Sequence, residues 1–244
     1  RSGKKSRMFH RGTEGRNRVD SEIQKANDEK KARQAQGKMP WRFRCEVGET
    51  QAIIVVDDKP DFFMYEHGMQ YPSGPKKGKW GFFTPCIKDW DNCPVCEMDK
   101  ESYYAMFLTC IDLTPFELSN GTEIEFSRKL LVVKRSQHKK FLRRYEKEGT
   151  LRGAYFEMTR DKQMESGIGG DIEFIEMVDE EELAQYVRSW KDRDGKRQTE
   201  DCSVPFDYEE LFTEPTKAQL AALVGAEPTP GSREQVERDL DDPE

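Results

Sequence analysis

No window of the 244-residue sequence approaches 18 consecutive apolar positions, so nothing in it has the length of a membrane-spanning helix. No apolar stretch of the signal-peptide kind stands near the N-terminus. The chain opens at Arg1 instead of Met, as a truncated or tagged chain does. Histidine is scarce, with three in all, and they lie far apart, which weakens any His-centred catalytic constellation. Six cysteines are too few for a disulfide-stapled secreted scaffold of this length. No internal repeat is evident. Mean hydropathy is −0.92, yet 11% of the residues are aromatic, which argues for a real core. The length fits one elaborated domain with tails, or two small domains.

Charge is abundant and unevenly placed. The net charge of −7 hides a strongly basic segment over residues 1–44. The segment over 201–244 is strongly acidic, with 3 Lys/Arg against 12 Asp/Glu. A basic arm suits a polyanion or an acidic partner, and an acidic tail recruits basic partners or competes with nucleic acid. Both also serve as plain solvating tails. The organisation reads as a basic arm over 1–38, a core over 39–224 and a flexible acidic tail over 225–244.

Within the arm, Val19, Ile23 and Ala26 mark a short helix from Asp20 to Ala35. From Trp41 the period becomes strand-like. Expected strands are Trp41–Cys45, Gln51–Val56, Phe62–Glu66, Trp80–Phe83, Ser102–Asp112, Glu123–Val133 (as one or two strands), Leu151–Arg160 and Asp171–Val178. Helices are expected over Ser136–Glu148, Glu180–Trp190 and Thr216–Val224, the last capped by Thr216. Many short strands with polar inserts and few helices predict a mostly β fold built on a small barrel.

The sharpest chemical signal is His67-x18-Cys86-x6-Cys93-x2-Cys96. One imidazole and three thiolates suit the tetrahedral, soft coordination of Zn(II). The Cys93-Pro94-Val95-Cys96 knuckle presents two sulfurs to one ion, and His67 ends a strand and closes the site. Four protein ligands leave no open position, so one structural zinc per chain is expected, replacing a hydrophobic minicore. The alternatives are a redox CxxC pair and unliganded buried thiols. A third Cys and a His beside the pair disfavour the redox reading. Cys45 and Cys110 lie on strand-like runs and are read as core. Cysteine used for metal fits a reducing compartment.

The run Tyr65-Glu66-His67-Gly68, then Gly78-Lys79-Trp80, Cys86 and Asp91-Asn92-Cys93-Pro94-Val95-Cys96, resembles the core of the T-even phage single-stranded-DNA-binding proteins. The similarity covers about residues 41–135. It implies a zinc-containing OB-fold that coats and protects single-stranded DNA during phage replication, recombination and repair, in the cytoplasm of an infected bacterial cell. It also implies self-association through a basic arm, where Lys4-Lys5-Ser6-Arg7 matches part of the family's pattern. An acidic tail that binds replication or recombination proteins is implied as well, and Glu234 to Glu244 is similar to it in charge. The loop between His67 and Cys86 looks longer here than in that family.

The residues read by themselves point the same way. Sequence-neutral binding of single strands needs a positive track for phosphates and exposed aromatic faces for bases. Basic candidates are Arg42, Arg44, Lys76, Lys77, Lys79, Arg128, Lys129, Lys134, Arg135, Lys139, Lys140, Arg143 and Arg144. Residues 127–147 hold nine Lys/Arg against one acidic residue. Aromatic candidates for the binding surface are Tyr71, Trp80, Phe82, Tyr103 and Phe107, with Trp90 nearby in sequence. Tyr103 and Phe107 share one strand face and Tyr104 shares the other with Met106. Alternation alone does not say which face is core.

Catalysis finds little support. Asp57, Asp58 and Asp61 form a carboxylate group of the magnesium-nuclease kind, but they sit in a turn beside Pro60, where Asp commonly bonds the backbone. Gly167-x-Gly169-Gly170 has no Lys-Ser/Thr after it and is no phosphate loop. The reading is a non-enzymatic single-stranded-DNA-binding protein. The alternative is a zinc-stabilised interaction protein that modulates a replication or transcription complex.

Overall fold

β-Branched and aromatic runs set the strands. In the computed structural model, the described residues are 40–71, 77–78, 80–117, 121, 123–162, 166–191 and 195–224, without the side chains of Trp80 and Lys191. The arm and its helix over 20–35, Lys76, Lys79 and the tail over 225–244 lie outside them.

The strands are β1 (Glu49–Val55), β2 (Phe63–Gln70), β3 (Trp80–Pro85), β4 (Ser102–Asp112), β5 (Phe116–Glu117), β6 (Glu123–Ile124) and β7 (Ser127–Lys134). They continue as β8 (Ala154–Arg160), β9 (Asp171–Met177), β10 (Val187–Lys191) and β11 (Arg197–Asp201). The helices are α1 (Pro94–Glu97), α2 (His138–Glu148), α3 (Glu180–Leu183), α4 (Tyr208–Leu211) and α5 (Lys217–Val224).

β4 is the hub. Its first half pairs with β2 and its end with β1. β7 pairs along its other edge from Ala105 to Asp112. The main sheet of the described residues runs β3-β2-β4-β1-β8-β9, with β7 branching from β4. Every named pair in it is antiparallel. β10–β11 and β5–β6 form separate two-stranded sheets.

This corrects the expected OB-fold barrel. The sheet is open, with β3 and β9 at the two ends of its path and no pairing between them. An 11-residue strand can serve three partners, so the sheet branches at β4 instead of curling onto itself. The fold is mixed α/β with open sheets, not a mostly β barrel.

Other expectations shift too. Trp41–Cys45 forms no strand: Arg42 makes a single bridge to Leu130, and the segment lies beside β7 through Phe43 N–H to Leu130 O and Leu130 N–H to Trp41 O. Glu180–Trp190 is helical only at its start. Asp179 caps it by accepting the Glu182 N–H, and from Val187 the chain pairs with Arg197–Asp201. A five-residue pairing outweighs the intrinsic preference of so short a helix. α5 begins as expected, with the Gln219 N–H on Thr216 Oγ1 at 3.2 Å and the Thr216 N–H on the Gln219 side chain at 2.8 Å. Gly149 ends α2 in the left-handed conformation. Gly169 is also left-handed, and an added Cβ would stand 2.4 Å from the Thr159 carbonyl oxygen. That close approach gives the glycine-rich run a backbone role.

Both faces of β4 are covered over Ala105–Asp112. On one face Met106, Leu108 and Cys110 join Phe43, Cys45, Ile53, Val55, Leu131, Val133, Phe141 and Phe156 in the main core. On the other, Ala105, Phe107 and Leu130 lie under Phe206, Tyr208, Leu211 and Phe212. Phe62 stacks on Tyr208 at 4.8 Å and on Phe212 at 5.5 Å. The segment around α4 is thus a strap across the sheet. It is fastened by Tyr208, whose hydroxyl donates to Asp57 and lies 2.9 Å from Thr109 Oγ1. Cys202 is buried in a third cluster with Ile54, Val56 and Ile111. None of the described helices is long and apolar enough to cross a membrane.

Candidate metal centre and aromatic face

β2 alternates, and its two faces carry different chemistry. His67 points to one face. It lies inside β2, not at its end, and hydrogen-bonded pairing on both sides fixes it opposite Thr84 and Ser102. Cys86 follows β3 directly, and the Cys86 N–H is held by the Tyr65 carbonyl. Pro94 starts the single turn of α1, which folds Cys93 and Cys96 toward the same point.

The four ligand atoms of His67, Cys86, Cys93 and Cys96 all lie within 4.8 Å of one another. His67 Nε2 is 3.4 Å from Cys93 Sγ and 3.7 Å from Cys96 Sγ, and Cys86 Sγ is 3.6 Å from Cys96 Sγ. A tetrahedron with metal–sulfur bonds of about 2.3 Å and a metal–nitrogen bond of about 2.0 Å has edges of roughly 3.5–3.8 Å. The donor set therefore fits one small tetrahedral ion. Burial lowers the His67 pKa, with the Lys100 and Glu101 backbone opposing it, and this favours the neutral imidazole a metal needs. Burial pushes the Cys86 thiol up to about 12, so without a metal this thiol stays protonated. The cluster is capable of holding a metal ion. Around it Met69, Ile87, Val95 and Leu220 form a small core, against which Phe82, Leu223 and Val224 pack. α5 thus rests on the metal knuckle, and Lys217 Nζ lies 3.6 Å from Asp91.

The opposite face of β2 carries Glu66 and Gly68. Glu66 is 1% exposed and receives both Arg42 guanidinium nitrogens at 2.7 Å. It also accepts from the Tyr103 hydroxyl. Arg42 lies 3.6 Å over the Phe83 ring, and Lys134 Nζ lies 4.7 Å from the Tyr103 ring centroid. Gly68 leaves the Phe83 and Tyr103 rings bare between them: an added Cβ would touch both, at 3.5 and 3.9 Å. The result is a strip of two half-buried rings, each carrying a cation.

The other sequence candidates are dispersed. Phe107 is fully buried. Phe82 packs on the metal side of the sheet, 5.8 Å from Tyr71. Lys77 is exposed and bridges to Tyr71, and Arg44 is exposed before β1. The basic run over 127–147 does not form one track. Arg128 binds Glu200 and lies over Phe206. Lys129 binds Asp112. Arg144 binds Glu148 and covers Phe174, and Lys140 lies 3.6 Å from Asp171 on β9. Arg135, Lys139 and Arg143 are exposed. Trp90 is exposed on the metal side of the chain.

Sequence reading missed Glu66, Gly68 and Phe83. The available signal was a carboxylate and a glycine at alternate positions around His67 in an aromatic strand. Asp57 is buried, accepts from the Thr109 N–H and Tyr208 hydroxyl, and has its pKa raised to about 6 by burial. It fastens the strap, the charge of Asp61 adds to the upward shift, and among the described residues it belongs to no metal-ligating cluster.

No family model, curated protein or solved structure matches this chain, so the phage assignment implied by the resemblance is not carried forward.

Proposed function

We propose that the protein binds single-stranded DNA without sequence preference, on a sheet face braced by a structural zinc ion. The carrying observation is the Arg42–Phe83 and Lys134–Tyr103 strip, with bare Gly68 between the rings. Every base offers a π-face, so aromatic rings accept any sequence, and the adjacent cations meet the phosphates. Glu66 holds Arg42 over Phe83, which limits how far that cation reaches. Zinc is the metal that three thiolates and an imidazole select. It supplies a rigid, non-redox staple in the loop-rich region after β3, and the chain's own residues perform the binding. Six free cysteines suit a reducing cytoplasm. The basic arm over 1–38 is the proposed self-association element, and the acidic tail over 225–244 the proposed contact for replication or recombination proteins.

The second reading, a zinc-stabilised interaction protein, draws on the ion pairs that occupy Arg128, Lys129 and Arg42. Fluorescence titration with oligo-dT over a salt series separates the two. Tight, salt-weakened binding without cleavage supports the first. No binding at low salt, by protein carrying its metal, overturns it.

A further inference from the structure

The four metal-ligating residues are not equally protected. His67, Cys86 and Cys93 are buried, at 4% exposure or less. Cys96 is only half-buried, and it lines an open cleft of about 400 Å³ with Lys88, Asp99, Lys100, Glu101 and Ser102. Its sulfur lies 3.6 Å from that of Cys86. The three remaining thiols, Cys45, Cys110 and Cys202, are fully buried in other clusters.

We propose that Cys96 is the peroxide-accessible residue of the cluster, and that it is oxidised to a disulfide with Cys86, with release of the metal ion. This rests on reading the cluster as a zinc site. Reactivity at sulfur follows thiolate character and access together. Thiolates that hold a metal are ionised by it, so access decides, and access favours Cys96. The Cys96 thiolate attacks one peroxide oxygen: an S–O bond forms, the O–O bond breaks, and hydroxide leaves and is protonated to water. The Cys86 thiolate then attacks the Cys96 sulfur: the S–S bond forms, the S–O bond breaks, and a second hydroxide leaves as water. Two thiolates, one peroxide and two protons give one disulfide and two waters, the sulfurs supplying the two electrons that peroxide accepts. His67 and Cys93 alone would not complete a tetrahedral shell, so a bound ion would be released. A dithiol reductant restores both thiols and allows reloading.

The partner chosen is the distinguishing feature. A CxxC knuckle suggests Cys93–Cys96 pairing by sequence proximity. The partner proposed is the buried Cys86 sulfur, 3.6 Å from that of Cys96 and ten residues away in the chain.

The test uses the whole chain as purified, with metal content measured first. Hydrogen peroxide is added in the presence of a zinc-responsive chromophore. Remaining thiols are alkylated, and the disulfides are mapped by mass spectrometry. The expected result is one ion released per chain, a Cys86–Cys96 bridge, and Cys45, Cys110 and Cys202 alkylated only after unfolding. In a parallel arm, limiting iodoacetamide on the reduced, loaded protein labels Cys96 first. A Cys93–Cys96 bridge, oxidation to sulfinate without a bridge, or first labelling of another cysteine overturns the proposal. Protein that carries no metal from the start contradicts the zinc reading instead. Peroxide mapping of that protein still decides the pairing, since any bridge other than Cys86–Cys96 overturns it.

Discussion

Glu66 and His67 are neighbours in the chain and belong to different machines. His67 faces three cysteine sulfurs, and Glu66 faces Arg42 and Tyr103 on the other side of β2. The metal cluster gathers residues from one stretch of 30, by strand pairing and one helical turn. The aromatic face gathers Arg42, Glu66, Phe83, Tyr103 and Lys134 from five separate places. One strand separates a site built from local spacing from a surface built by tertiary pairing. Damage to one side should therefore read out differently from damage to the other.

The largest effect is expected on the metal side. Structural zinc sites hold their ion with apparent free energies of about 10–16 kcal/mol in small zinc peptides. Cys93→Ser removes a buried thiolate on which α5 also packs. We expect metal content to fall close to zero, and protease to cut within 86–101 and 217–224. Elemental analysis and limited proteolysis check this. Full metal retention would make Cys93 dispensable and leave the donor set incomplete.

Next is Phe107→Ala, which opens a cavity under the strap. A fully buried phenylalanine costs about 3–5 kcal/mol on truncation, read as a lower denaturation midpoint with unchanged metal content. The contrast is Phe83→Ala on the half-buried aromatic strip. It should cost about 1–3 kcal/mol of oligo-dT affinity with a denaturation midpoint near that of wild type.

These positions show what a sequence discloses. The metal set was legible because four ligand types at short spacing have few other uses. Most strands were legible from β-branched runs, and β4 was placed to the residue. The open, branched sheet was not, and a barrel was expected in its place, because closure depends on which strands share β4, and no local pattern encodes that. Phe107 and Tyr103 have the same parity, yet only the first lies beneath Phe212, about a hundred residues downstream. The basic run over 127–147 looked continuous, but Glu200, Asp112 and Glu148 divide it. Glu148 adjoins the run, but Glu200 and Asp112 come from other segments and are invisible to a local charge count.

A smaller effect concerns the strap. Asp57 has a folded pKa of about 6, raised by burial above its ordinary 3.8. The folded protein binds the extra proton between these values. The associated stability is fully present below the unfolded value and is lost as pH rises through about 6. Wild type should lose about 1 kcal/mol more than Asp57→Asn between about pH 5 and about pH 7.5, measured by urea denaturation. Equal losses would remove Asp57 as the titrating group. Smaller still, Lys134→Ala should flatten the slope of log affinity against log salt by roughly 0.7 for one lost phosphate contact. An unchanged slope would take Lys134 out of the phosphate path.

On the proposed function, single-stranded DNA binds the Glu66 face of β2 while the metal braces the His67 face. The most direct test is oligo-dT titration of Phe83→Ala and Tyr103→Ala beside wild type, at matched salt and with one equivalent of metal verified in each. Weaker binding is expected in both variants, with full metal content and salt slopes like that of wild type. Wild-type affinity in both, with the fold and metal intact, would contradict it.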